Sequence, residues 1–206
     1  MGAKRDIDDD LLALAQMGDD EIDTSDIPET LDFSQAQRGR FYPLAQKGYD
    51  VRAIANWCVY RSRSKGRTPT SLWLNKLVYL ICETAVREYR ELLTPAKIEA
   101  WQYGPVFREI YFQTDTEVIA PFTKFNARMR VREIAQDHFD ARDIALFDRV
   151  WERYGNMPAG RLTDITHQPG TPWHKVWYHG GRTNPGMEID PLTILGCVDS
   201  QFDERN

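Results

Sequence analysis

Few side chains in this sequence could carry chemistry: four histidines, three cysteines and scattered carboxylates. His167, His174 and His179 lie close together, but their spacings of seven and five residues, with Pro169-Gly170 between the first two, do not match a helix-face metal pair, which needs ligands at i and i+4. His138 lies apart. Packed or exposed histidines are therefore expected, with no metal and no cofactor, and a hydrolase or transferase site around His167 and His174 is the weakest functional reading. Neither the nucleophile-elbow pattern G-x-S-x-G nor a phosphate-cradling glycine loop is present. Cys58, Cys82 and Cys197 form an odd set without a C-x-x-C pair, so they read as buried small apolar residues and not as a disulfide framework or zinc ribbon. Glu83 with Arg87 and Glu109 with Arg108 read as surface helix pairs. No catalytic residue is assigned, and the chain is read as a non-enzyme.

Two aromatic strings rise above this background. Trp101-Gln102-Tyr103-Gly104-Pro105-Val106 joins two bulky rings to a Gly-Pro turn, and Thr171-Pro172-Trp173 with Trp177 places indoles on the first turns of a capped helix. One outcome for these rings is a place in the core. The other is an aromatic-lined groove between helices that accepts a partner segment, since Trp and Tyr are enriched at binding hot spots. On that reading Trp101, Tyr103, Pro105, Trp173 and Trp177 are partner-binding candidates.

The elements that must position these residues follow from length, charge and periodicity. A chain of 206 residues and 23.9 kDa has room for one domain plus an appendage. Residues 1–32 hold eleven acids against Lys4 and Arg5, a balance of −9, while the remainder carries +4. Such a block reads as a solvated interaction arm that would repel nucleic acid. The arm is placed at 1–45, partly disordered, with at most a short helix near Asp8–Met17. Its isolated apolar anchors Ile22, Ile27, Phe33, Phe41 and Tyr42 are further partner-binding candidates. The body is placed at 46–206. No apolar run is long enough to span a bilayer and no signal-peptide pattern is visible, so a soluble cytoplasmic protein is expected.

Within the body, Val51, Ile54, Ala55, Cys58 and Val59 mark a helix capped by Asp50. The basic stretch Arg61–Arg67 follows it, suited to a helix C-terminus. The alternative reading of that stretch is a nucleic-acid-associated regulator. The most hydrophobic helix runs from Thr70 to about Leu92 and should sit centrally. Thr94-Pro95 predicts a short helix carrying Ile98 and Trp101, and Pro105 predicts another with Val106 and Ile110. Residues 115–134 alternate in a manner suited to strands. Helical spacing returns over Asp140–Tyr154, Ala159–His167, from Thr171-Pro172, and over Pro191–Val198. The fold class is mainly α: a compact helical domain with room for a small β-hairpin, preceded by an acidic, largely irregular arm.

The strings VRAIANWCVY (51–60), LNKLVYL (74–80), EAWQYGPV (99–106) continuing to Glu109-Ile110-Tyr111, and His167 with Gly170-Thr171-Pro172-Trp173, taken in this order, resemble the Panacea domain, an antitoxin domain whose members include SocA-like proteolytic adaptors. The resemblance covers about residues 50–180. It implies a mainly helical antitoxin of a bacterial type II toxin–antitoxin system that binds a cognate protein toxin without catalysis or metal. In the SocA-like branch it also implies delivery of that toxin to an ATP-dependent protease.

Overall fold

A helix with apolar residues all round must lie inside its domain, and residues 73–86 are apolar apart from Asn75, Lys76, Glu83 and Thr84. The computed structural model describes residues 44–114, 117–118 and 120–197, and its centre is the helix Ser71–Tyr89 (α2), buried without interruption from Trp73 to Val86. Thr70 caps it, its hydroxyl accepting from the Trp73 N–H at 3.2 Å. The expected arm helix and the arm residues Ile22, Ile27, Phe33, Phe41 and Tyr42 lie outside the described residues.

Before α2 come the two-residue strand Ala45–Gln46 (β1) and the helix Val51–Ser64 (α1). The Asp50 carboxylate accepts from the Arg52 N–H at 3.0 Å. After α2 the chain turns at Arg90, a non-glycine residue in left-handed conformation, into Glu91–Leu92 (β2), which pairs in parallel with β1. Then follow Glu99–Trp101 (β3), Gly104–Val106 (β4), the short helix Arg108–Tyr111 (α3), the hairpin Thr123–Asn126 (β5) with Val131–Ile134 (β6), and the helices Ala141–Tyr154 (α4), Ala159–His167 (α5) and Pro172–Trp177 (α6). Met187–Glu188 (β7) and Pro191–Leu195 (α7) complete the order. Helices α1, α4, α5 and α7 pack around α2.

The main core gathers side chains of α1, α2, α4 and α5, with Phe107 and Ile110 at one end. A second, smaller core joins Val86 and Ala100 to Trp173, Trp177, Ile189 and Ile194. Both thiols inside α1 and α2 are buried and unreactive: burial raises Cys58 well above the ordinary thiol range and lifts Cys82 to about 12.

The mainly α reading with a small hairpin holds, and two local expectations are corrected. Residues 94–106 form no helix; they hold the short strands β3 and β4 joined by a turn. The Thr94 hydroxyl accepts from the Ala96 N–H, and β3 pairs antiparallel with β4 across the Gln102-Tyr103 turn and with β7 on its other side. That pairing with β7 comes from far along the chain, and it overrides the local helix-start signal of Thr94-Pro95. Pro105 and Val106 consequently lie in β4, and the following helix begins only at Arg108. The hairpin over 123–134 is present as expected, rooted by one buried side chain. Asn56 donates to the Phe122 and Ala135 carbonyls at 3.0 and 2.8 Å and accepts from the Phe122 N–H at 2.7 Å. Asn56→Ala strips those buried backbone groups of partners and should cost about 2–3 kcal/mol in urea denaturation, with loss of amide protection in β5 and β6.

Candidate functional site

The turn from β3 to β4 and the helix α3 together line one side of a groove of about 960 Å³, and the N-terminal half of α2 forms the other. Trp101, Tyr103, Tyr111 and Phe112 form its rim. Tyr103, Tyr111 and Phe112 are exposed at 64%, 44% and 68%, far from the burial that such rings usually seek. Tyr111 and Phe112 form one ring cluster with Trp101: Trp101 lies 4.8 Å from Tyr111 and 6.4 Å from Phe112, centroid to centroid, and Tyr111 lies 5.5 Å from Phe112.

Polar contacts hold this rim in place from behind. The Trp101 indole N–H donates to Glu99 Oε2 at 2.9 Å, and Glu99 Oε1 is paired with Arg108 at 2.6 Å. The Trp101 carbonyl accepts from the Trp173 indole at 2.8 Å. Asn75 on α2 accepts from the Phe107 N–H at 3.0 Å and donates to the Ser71 carbonyl, so one buried amide fixes the chain between β4 and α3. Ser71 and Thr114 meet through their hydroxyls at 2.7 Å.

Beneath the turn lies a buried amine. Lys76 is fully buried on α2, and its Nζ donates to the Pro105 carbonyl at 3.1 Å. No carboxylate is paired with it among the described residues, and burial pushes its pKa down to about 7. His167 sits alongside, its ring stacked flat on Trp173 at 3.6 Å. Burial first, and the Lys76 charge second, push His167 down to about 4, against smaller opposing effects of Asp164 and of a hydrogen bond with the Tyr103 backbone. Both Lys76 and His167 fill the space that a Cβ on Gly104 would need. Lys76 is the single basic or acidic side chain lining the groove; the rest of the lining is aromatic, aliphatic or uncharged polar. Such a surface is suited to receive an apolar or aromatic segment of another protein.

The partner-binding candidates read from the sequence separate on this geometry. Trp101 and Tyr103 stand on the groove, whereas Pro105 is buried directly behind it. Trp173 and Trp177, at 3% and 8% exposure, belong to the second core, where Trp173 supports the turn that carries Trp101. Reading the residues alone does not single out Phe112 or Lys76, although Lys76 is recognisable as the one cation within the apolar run 72–82. The Glu83–Arg87 pair is not a surface pair, because Glu83 is fully buried and takes Arg87 at 2.7 Å, and Arg108 pairs with Glu99 and not with Glu109. Of the basic stretch, Arg61 is paired with Asp148 and lies over the Trp57 ring, Arg63 donates to the Val118 carbonyl, and Arg67 donates to the Gly155 carbonyl. Three of its four cations are thus tied to the domain itself.

The family model described as "Antitoxin SocA-like, Panacea domain" matches residues 74–174, which take in Lys76, the aromatic rim, α5 and Trp173. The chain carries a SocA-like Panacea domain. Its family is one of antitoxins, in agreement with the resemblance drawn from the strings at 74–80 and 99–106. A curated relative, "Antitoxin SocA" of Caulobacter vibrioides (strain NA1000 / CB15N), is 26% identical over 153 residues, covering 71% of this chain and 81% of its own length. No solved structure gives a significant match. In the Panacea domain of this chain, the order of strings becomes a physical unit: α2 supplies the floor, β3–β4 the turn and α3 the outer rim. No helix among the described residues is long and apolar enough to cross a membrane.

Proposed function

We propose that this protein neutralises a cognate protein toxin by direct binding, seating an apolar or aromatic segment of the toxin against Trp101, Tyr103, Tyr111 and Phe112. The carrying observation is the exposure of three aromatic side chains, two of them in ring contact with each other and with Trp101, around a groove of largely uncharged lining. A patch of this kind is costly to leave in water and is the usual mark of a protein-binding surface. The antitoxin family supplies the class of partner. The work asked of these residues is occupation of another protein's surface, not bond making or breaking, so no activity as an enzyme is expected. The groove rim consists of large rings that rotate about only two side-chain torsions, so ordering them on binding costs little.

Co-expression with the protein encoded beside it tests the reading. Wild-type protein should rescue growth, whereas the double variant Tyr103→Ala/Phe112→Ala should lose rescue and weaken the complex by about 10- to 100-fold. Both side chains are exposed, so thermal melting should hardly move. Full rescue by a folded double variant would refute the groove as the contact. Delivery of the bound toxin to an ATP-dependent protease would extend this function, and toxin half-life reports on it. An adaptor shortens that half-life, while simple blocking leaves a long-lived inactive complex.

A further inference from the structure

We propose that the open edge of β6 is a second docking site, which accepts an extended acidic segment of a partner protein as a third strand on the β5–β6 hairpin. The hairpin's register fixes which backbone groups face outward. Ala135 N–H donates to the Phe122 carbonyl at 2.9 Å, and residues 123 to 126 pair with 134 to 131. In an antiparallel ladder the bonded pairs alternate, so Lys124–Glu133 and Asn126–Val131 exchange the next bonds, and the N–H and C=O of Arg132 and Ile134 point away from β5. On the other edge the groups of Thr123 are already engaged: its N–H donates to Gln113 Oε1 at 3.2 Å, and its carbonyl accepts from Arg132. β6 has no strand beyond it among the described residues.

Proteins usually protect such an edge with polar and charged side chains. Here Phe125 and Ile134 are exposed on one face of the hairpin, Val131 on the other and Met129 at the turn, apolar side chains without use in a protective edge. The charge around it has one sign. Between 123 and 134 four cations stand against one acid, Glu133, which is engaged by Asn126 at 3.1 Å; Lys124 donates to the Gln136 carbonyl and Arg132 to Thr123, which leaves Arg128 and Arg130 for a partner. Arg128 and Arg130 stand exposed at the turn. An incoming strand with alternating acidic and aliphatic residues would satisfy the outward backbone groups, set its aliphatic side chains on the face of Phe125 and Ile134, and bring its acids toward Arg128 and Arg130. A nucleic acid would meet the cations and Phe125 but leave the Arg132 and Ile134 backbone groups and the aliphatic side chains unserved.

The probe is a short peptide alternating Asp and Val, titrated into the full-length isotope-labelled protein. Binding should shift and protect the amides of Arg132 and Ile134, and should weaken as salt rises. Ile134→Pro removes an N–H that takes no part in the β5 ladder, and Arg128→Glu/Arg130→Glu reverses the charge at the turn, where folding is least at risk. Each should weaken binding about tenfold or more, and the charge-reversal variant decides the matter if the proline variant does not fold. Absence of binding, or shifts that avoid β6, would overturn the proposal. So would a single-stranded oligonucleotide that binds tighter than the peptide and moves the turn arginines while the edge amides stay still.

Discussion

Replacing Lys76 with Met should make this protein more stable, and most of all below neutral pH. The amine is fully buried and holds one carbonyl, so the folded state takes up its proton reluctantly. With the folded pKa near 7 against the ordinary 10.5, the unfolded chain binds more protons everywhere between those values. Stability therefore rises with pH across that window, and the full penalty is present below pH 7. Converted at 1.36 kcal/mol per pH unit, the penalty is about 5 kcal/mol at pH 6 and about 2 kcal/mol at pH 9. Met fills nearly the same volume without a charge but leaves the Pro105 carbonyl without its donor, which returns about 1–2 kcal/mol. A net gain of about 3 kcal/mol at pH 6, shrinking to near zero at pH 9, is the expected difference in urea melts. An equal shift at both pH values would contradict the assignment. His167 acts in the same sense: its depressed folded value makes the domain lose stability as pH falls from 6.5 toward about 4. Removing the Lys76 charge should let His167 titrate closer to its usual range.

The second large effect is expected at Gly104, where the chain passes over that amine. Its φ of +106° lies in the region that side chains rarely adopt, and a Cβ there would come 2.4 Å from Lys76 Cε, 2.8 Å from Lys76 Nζ and 3.1 Å from His167 Nε2. All of these atoms are hemmed in by the core, so the turn itself must shift. Gly104→Ala should cost about 3 kcal/mol or more, combining backbone strain with overpacking. It should also abolish partner binding, because Trp101 and Tyr103 ride on the displaced turn. Combining it with Lys76→Ala should recover part of the stability, the part due to the clash, while the backbone strain remains. Gly160 serves as the control: a Cβ there meets nothing within 4 Å, so Gly160→Ala should be neutral or slightly stabilising. A Gly104→Ala protein as stable as the wild type would show that the turn is not held as described.

The helices are legible in the sequence because their apolar spacing and their caps agree. Asp50, Thr70 and Thr171 all accept from the first turns they precede, and the strong apolar run of α2 announces the central position it takes. The hairpin at 123–134 is legible from alternation. What escapes is the small sheet of β3, β4 and β7, since Met187–Glu188 lies far along the chain from Glu99–Ala100 and no local pattern links them. This same sheet decides the candidate site. It turns Trp101 and Tyr103 outward and makes Pro105 a buried acceptor, and it leaves Trp173 to brace the turn from inside. Aromatic type and order are thus readable, but the division into contact surface and support is not. That division depends on which side of a strand each ring falls, and the local signals at 94–101 point to a helix instead.

Hydrogen exchange of the full-length protein, free and in complex with the protein encoded beside it, tests the central claim most directly. Binding at the aromatic groove predicts new protection concentrated in residues 101–112 and in the first turns of α2, with little change in α4. Protection confined to other parts of the domain, with residues 101–112 exchanging as fast in the complex as in the free protein, would contradict it.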